Sequence, residues 1–157
     1  MIETPRRASL AAAAVAALMF SCLPALSAGS GGSDSATNTS RPNYAEAQAA
    51  VDSGSYVQAL RILAGVVKAE PRNADAWNLM GYASRKMNRL DEADRYYATA
   101  LRIDPRHMGA LEYQGELFLE RGDVDRARQN LSMLRGLCRT CDEYKDLIAA
   151  FDAAGQS

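Results

Sequence analysis

Histidine and tryptophan each occur once in this 157-residue chain, and cysteine and phenylalanine three times each. A haem or metal-rich protein draws on a richer supply of such ligands. The single His107 leaves no second histidine for a metal triad and no designed His–Cys couple. Charge of one sign is lacking too: 18 basic against 19 acidic side chains give a formal net charge of −1. Lys and Arg are scattered, so the clustered basic footprint of a nucleic-acid binder is missing. No stretch alternates like a strand, and Gly31-Gly32 is not a phosphate loop because no strand precedes it. Asp91 and Glu92 are adjacent on an expected helix, point to different sides and form no acid/base couple. These absences leave no catalytic residue to name, no cofactor and no metal.

What is present begins with a targeting pattern. Arg6 and Arg7 precede an uninterrupted apolar run from Leu10 to Phe20, Pro24 breaks it, and small residues lead up to Gly29. This is the layout of a secretory signal peptide over residues 1–28. The run is shorter than the roughly 20 residues needed to span a bilayer. Ala8 and Ser9 fit a twin-arginine signal poorly. Phe20 stands where a lipoprotein box takes a small residue, which argues against a lipid anchor at Cys22. Cleavage after Ala28 would remove two basic and one acidic side chain, together with Cys22, and leave a net charge of −2. Residues 29–41 carry no large apolar side chain and read as a flexible linker, with Asn38-Thr39-Ser40 a chance-level glycosylation sequon. Periplasmic or secreted localisation in a bacterium is the expectation.

From about residue 40 the chain repeats every 34 residues. Ala59, Ala93 and Ala127 keep this step, as do Gly54, Asn88 and Gly122, and Pro71 and Pro105. Gly81 and Gly115 do so with Ala47 one period earlier; Tyr56, Leu90 and Val124 agree, and so do Leu63, Tyr97 and Leu131. Such a period marks a unit of two antiparallel helices stacked on its neighbours. In the middle unit the helices are expected over about Ala74–Met87 and Leu90–Ile103. Gly81 and Ala93 should permit close approach, with Trp77, Met80, Leu90, Tyr97 and Leu101 filling the space around them. Ser55 with Gln58, Thr140 with Glu143, and Asp123 alone are expected helix caps. His107 is expected at a helix start. Tyr144, Leu147, Ile148 and Phe151 line one face of a closing helix.

The segment "AWNLMGYASRKMNRLDEADRYYATALRIDP", residues 76–105, resembles the tetratricopeptide repeat family. The resemblance implies an all-α, right-handed solenoid of three helix-turn-helix repeats (about 40–73, 74–107 and 108–140). A capping helix, 141–154, completes a domain over 42–154. Asn43 and Glu46 in the first repeat and Gln114 in the third stand where that family takes apolar residues. The resemblance also implies a concave groove lined by the first helix of each pair. Its positions would be Tyr44, Gln48, Val51 and Asp52, then Asn78, Tyr82, Arg85 and Lys86, then Glu112, Glu116, Leu119 and Glu120. Tyr44 and Tyr82 would be exposed aromatic anchors. Glu112, Glu116 and Glu120 would form a row of like charges suited to a basic partner, or else a solvated face partly neutralised by Arg85 and Lys86. Some family members hold a carboxylate with groove cations. The matching positions here, Tyr44, Gln48, Leu79, Gly109 and Tyr113, carry none. The implied function is non-catalytic binding of a protein or peptide.

Cys138 and Cys141 are the one pair with chemical promise. A structural zinc site takes four ligands, more than this chain offers after export. Counting 34 from Pro105 reaches Arg139, so the pair flanks the turn where a closing proline is missing. A disulfide fixing the closing helix is the leading expectation in an oxidising compartment. A thiol-redox or envelope-assembly role for the same pair is the alternative.

Overall fold

The computed structural model describes residues 43–156. The expected signal peptide, the linker, Cys22 and the Asn38 sequon lie outside the described residues. Seven helices run through the described part: α1 Tyr44–Asp52, α2 Tyr56–Ala69, α3 Ala74–Lys86, α4 Leu90–Ile103, α5 Met108–Glu120, α6 Val124–Leu137 and α7 Asp142–Ala153. No strand occurs among the described residues. Helices pair as α1/α2, α3/α4 and α5/α6. The first helices touch along a row, α1 on α3 and α3 on α5, and α7 closes against α5 and α6. This is the all-α arrangement of three helix pairs and a capping helix that the resemblance and the apolar face of the closing helix imply.

The turn inside each pair has a local cause. Gly54, Asn88 and Gly122 all take the left-handed backbone, with φ of 74°, 59° and 75°. In each turn the following residue donates its N–H five residues back: Ser55 to Ala50, Arg89 to Ser84, Asp123 to Phe118, at 2.8–2.9 Å. These are Schellman motifs, which satisfy carbonyls that the helix end leaves open. The 34-residue step of Gly, Asn and Gly is thus a repeated backbone requirement.

Helix boundaries follow the same logic with three corrections, at Ser55, Thr140 and Met87. Asn43, Asn73, His107 and Asp123 each accept a backbone N–H three residues on. Asn43, at a position where an apolar residue is usual, is therefore a cap. Ser55 is at an N-cap, but its hydroxyl accepts from Ser53 Oγ at 3.2 Å instead of from a helix N–H. Thr140 does not cap α7. Cys141 holds that position with no side-chain cap, and its N–H turns to Cys138 Sγ at 2.8 Å. Met87, expected inside α3, is its C-cap.

Two apolar clusters make the core. One joins the first two pairs around Leu63, Val66, Leu79 and Met80; the other joins α4 to α7 around Tyr97, Leu111, Leu117, Leu134 and Leu147. Fully burying a side chain of this size contributes roughly 1.5–3 kcal/mol. Gly81 is small because the Tyr97 ring lies against it: a Cβ there would sit 2.5 Å from Tyr97 Cδ1. Gly115 makes the same room for Leu147, with 2.7 Å to its Cδ2. Gln114 stays polar because its Nε2 donates to Asp94 Oδ1 at 2.9 Å, while its Oε1 accepts from Asn130 Nδ2 at 3.3 Å.

Candidate functional site

Three first helices laid side by side leave a groove. A cavity of about 460 Å³ opens in it, lined from α1 by Tyr44, Gln48, Val51 and Asp52 and from α3 by Asn78, Leu79 and Tyr82. Tyr56, Gly109, Glu112, Tyr113 and Glu143 complete the wall. The expected groove residues of the first unit all line this cavity, with Asn78, Tyr82 and Glu112. Leu79, Gly109 and Tyr113, which the carboxylate-holding register marks, do so as well. That register is kept while its cationic chemistry is absent.

Tyr44 and Tyr82 are half-buried instead of freely exposed. Tyr44 Oη donates to Gln48 Oε1 at 3.4 Å, and Gln48 Nε2 donates to Asp52 Oδ1 at 2.9 Å. Tyr82 sits between Tyr56 and Tyr113, with ring centroids 6.5 and 5.1 Å away. Tyr113 continues to Tyr97 at 6.3 Å. An aromatic line therefore crosses all three repeats. Burial raises the Tyr44 phenol above its ordinary value and pushes that of Tyr113 up to about 12, so both stay neutral donors.

The acidic row is partly neutralised by Arg85, as the second of its two expected readings has it. Arg85 donates to both Glu116 and Glu120, the latter at 2.7 Å from Nη1. Burial works against the guanidinium charge, but Glu116 and Glu120 outweigh it and raise the Arg85 pKa. The arginine also lies over Tyr82 and Tyr113, 6.0 and 5.8 Å from their centroids. Lys86 is exposed, with Nζ 5.5 Å from the Tyr82 centroid. Glu112 is separate: it is 6% exposed and has no hydrogen-bond or ion-pair partner. Burial first, then Glu116, Asp146 and Glu143, push its carboxyl up to about 8. A second, shallower hollow is lined by Arg85, Glu116, Leu119 and Glu120 with Ala150, Ala153 and Ala154.

Reading the sequence by repeat missed Tyr56, Tyr113 and Glu143. Tyr56 opens a second helix, Tyr113 stands one position beyond Glu112, and Glu143 belongs to the capping helix. Tyr113 was marked by the carboxylate-holding register only as a position without a cation, Tyr56 by its repeat step only as a helix-packing residue, and Glu143 by no groove position.

The remaining candidates lie apart from the groove. His107 caps α5 through Nδ1, which accepts from Ala110 N–H, and its Nε2 faces Asp75 at 3.1 Å. Cys138 and Cys141 are free thiols in this structure, not a disulfide. The Cys138 sulfur accepts the Cys141 N–H, and Cys141 Sγ lies 3.6 Å from Cys138 O. Their thiols interact: the hydrogen bond between them lowers the Cys138 pKa and raises that of Cys141. No group of three metal-ligating side chains occurs among the described residues.

Comparison with known proteins gives the fold its relatives. Residues 50–111 match the Tetratricopeptide repeat family. The Yersinia enterocolitica type III secretion chaperone SycD, in complex with a peptide of the translocator YopD, superposes with a TM-score of 0.63 at 18% identity, covering 71% of this chain and 88% of that one. SycD alone gives 0.64 at 17% identity, covering 71% and 80%. The MamA RS-1 ArsTM double mutant gives 0.58 at 24% identity, covering 63% of this chain and 56% of that one. No curated protein sequence is similar to the chain. The family match over residues 50–111, the 34-residue helix-pair period and the shared solenoid fold agree with one another and give this part of the chain the form of tetratricopeptide repeats.

Proposed function

We propose that this protein is a non-catalytic binding module whose groove between α1, α3 and α5 receives a peptide segment of a partner protein. The fold is that of a protein–protein interaction scaffold. The observation that carries the groove reading is the tyrosine-lined cavity spanning all three repeats. Half-buried tyrosines offer large rigid contact area with a hydroxyl to spare, the property that concentrates binding energy at interfaces. SycD, a structural relative, is described in complex with a translocator peptide. Residues 1–28 direct export, so the partner belongs to the periplasm or the medium. In that oxidising compartment Cys138 and Cys141 lose two protons and two electrons to an oxidant and close a structural disulfide. Its value by loop entropy is roughly 2 kcal/mol.

A pull-down from the native envelope fraction tests the reading. Wild type should retain a partner that Tyr82→Ala and Glu116→Lys variants lose while keeping their helicity. Equal retention by the variants would count against groove binding. N-terminal sequencing of the exported protein should begin at Gly29, and non-reducing mass spectrometry should find the two thiols joined.

A second reading has its own observation. The Cys138 sulfur accepts a backbone N–H, and its pKa is lowered, the setting of an attacking thiolate. It assigns a thiol-redox or envelope-assembly role to the pair. Activity lost in Cys138→Ser or Cys141→Ser, with the fold intact and Tyr82→Ala tolerated, would favour it.

A further inference from the structure

Three carboxylates, Asp52, Glu112 and Glu143, reach the groove cavity, and its lining holds no Lys, Arg or His. Glu112 differs from its neighbours. Glu116 and Glu120 are both held by Arg85, whereas Glu112 is 6% exposed and unpartnered. Asn78 Oδ1, from the facing helix, is also buried without a donor. Asn78 Oδ1 is thus a buried acceptor without a partner, and the Glu112 carboxyl lies on the same cavity wall with no cationic side chain holding it. Leaving a buried acceptor such as Asn78 Oδ1 unpaired costs on the order of 1–3 kcal/mol. The same wall carries Tyr44, Tyr56, Tyr82 and Tyr113. Aromatic faces attract cations, and here Arg85 and Lys86 already lie over Tyr82.

We infer that this cavity takes a Lys or Arg side chain of the bound peptide, seated among the tyrosines with its charge on Glu112 and a second donor on Asn78 Oδ1. The inference rests on the groove reading and deepens it. Lys brings three donors and Arg five, and neither brings an acceptor. A cation therefore pairs with the Glu112 carboxylate and donates to Asn78 Oδ1 without burying a new acceptor. An apolar anchor would leave Asn78 Oδ1 unpaired and cover Glu112 without a partner, and an acidic one would meet three carboxylates. The groups facing Glu112 agree: Tyr113 and Glu116 on its own helix, Glu143 and Asp146 on α7, and Arg85 on α3. Three of the four charged ones are acidic. The proton that Glu112 retains near neutral pH is the place-holder that an incoming cation displaces.

A display library of random dodecapeptides tests this on the full repeat domain, with Tyr82→Ala and Glu112→Gln variants alongside. Expected is enrichment of Lys or Arg among wild-type binders, loss of all binding in Tyr82→Ala and loss of the basic preference in Glu112→Gln. Binders that need Tyr82 but show no basic preference would overturn this inference and leave groove binding standing. No binders, or binders indifferent to Tyr82, would overturn both. Calorimetry with one selected amino-blocked, histidine-free peptide adds a second readout. Affinity should rise about tenfold or more from pH 6 to pH 8 as displacement of the Glu112 proton becomes easier. The Glu112→Gln variant should show a flat profile. A flat profile in wild type, or a slope kept by the variant, would overturn the assignment to Glu112.

Discussion

Arg85 Nη1 donates to Glu120 Oε1 at 2.7 Å, joining the first helix of one repeat to the first helix of the next. The same guanidinium holds Glu116, and its side chain is 10% exposed. The contact makes a like-charge pair on α5 tolerable, because one buried cation serves both carboxylates. It also divides the groove, placing neutralised charge beside the α7 end and leaving Glu112 alone in the tyrosine-lined part.

Arg85→Met keeps much of the aliphatic stem and removes the charge. It should lower stability by about 1–3 kcal/mol, because the partly buried Glu116 and the exposed Glu120 lose their shared donor. Urea denaturation would measure this. A second substitution, Glu116→Gln, should restore part of the loss, and a double-mutant cycle isolates the coupling. Strict additivity would mean that the pair contributes nothing of its own.

Glu112 makes stability depend on pH in a particular direction. Its carboxyl titrates near 8 in the folded chain and in the ordinary range when unfolded. Between those values the folded state holds the proton and the unfolded state does not. Stability contributed by the protonated carboxyl is therefore complete below the unfolded pKa and is lost as pH rises through about 8. The melting temperature of wild type should fall from pH 5 to pH 9 more steeply than that of Glu112→Gln. Parallel curves would remove Glu112 as the cause.

Gly81→Ala should destabilise by about 1–3 kcal/mol, since the added methyl meets the rigid Tyr97 ring. Gly136→Ala meets nothing within 4 Å and should sit at or slightly above wild type. Thermal melts of the two single variants give the comparison. An unaffected Gly81→Ala would mean the ring has room to move.

Leu147→Asp should cost about 3 kcal/mol or more. Leu147 is fully buried against Gly115, and a carboxylate there has no partner. Phe151→Asp, at 5% exposure, should act in the same direction. Circular dichroism melts decide: unchanged helicity and melting temperature would mean that α7 does not seal the core.

The repeat itself was legible in the chain. Its signals are local or periodic: a left-handed residue at 54, 88 and 122, a proline at 71 and 105, and small residues facing large ones at a fixed step. A helix boundary obeys the nearest few residues, so α4 falls where the pattern places it. Caps were harder to read. The hydroxyl of Ser55 and the backbone N–H of Cys141 each found a different partner nearby, Ser53 in one case and the Cys138 sulfur in the other.

Sequence alone thus determined the architecture, because secondary structure and a one-dimensional stack depend on neighbours along the chain and one period away. Tertiary structure decided which charges are free. Glu112, Glu116 and Glu120 look alike at spacing four, yet Arg85, about 30 residues earlier, claims two of them, and burial under α7 isolates the third. A pKa and a binding preference depend on what lies across space, on the desolvation and the partners that packing supplies. Tyr56, Tyr113 and Glu143 joined the site for the same reason, brought there by packing from three different helices.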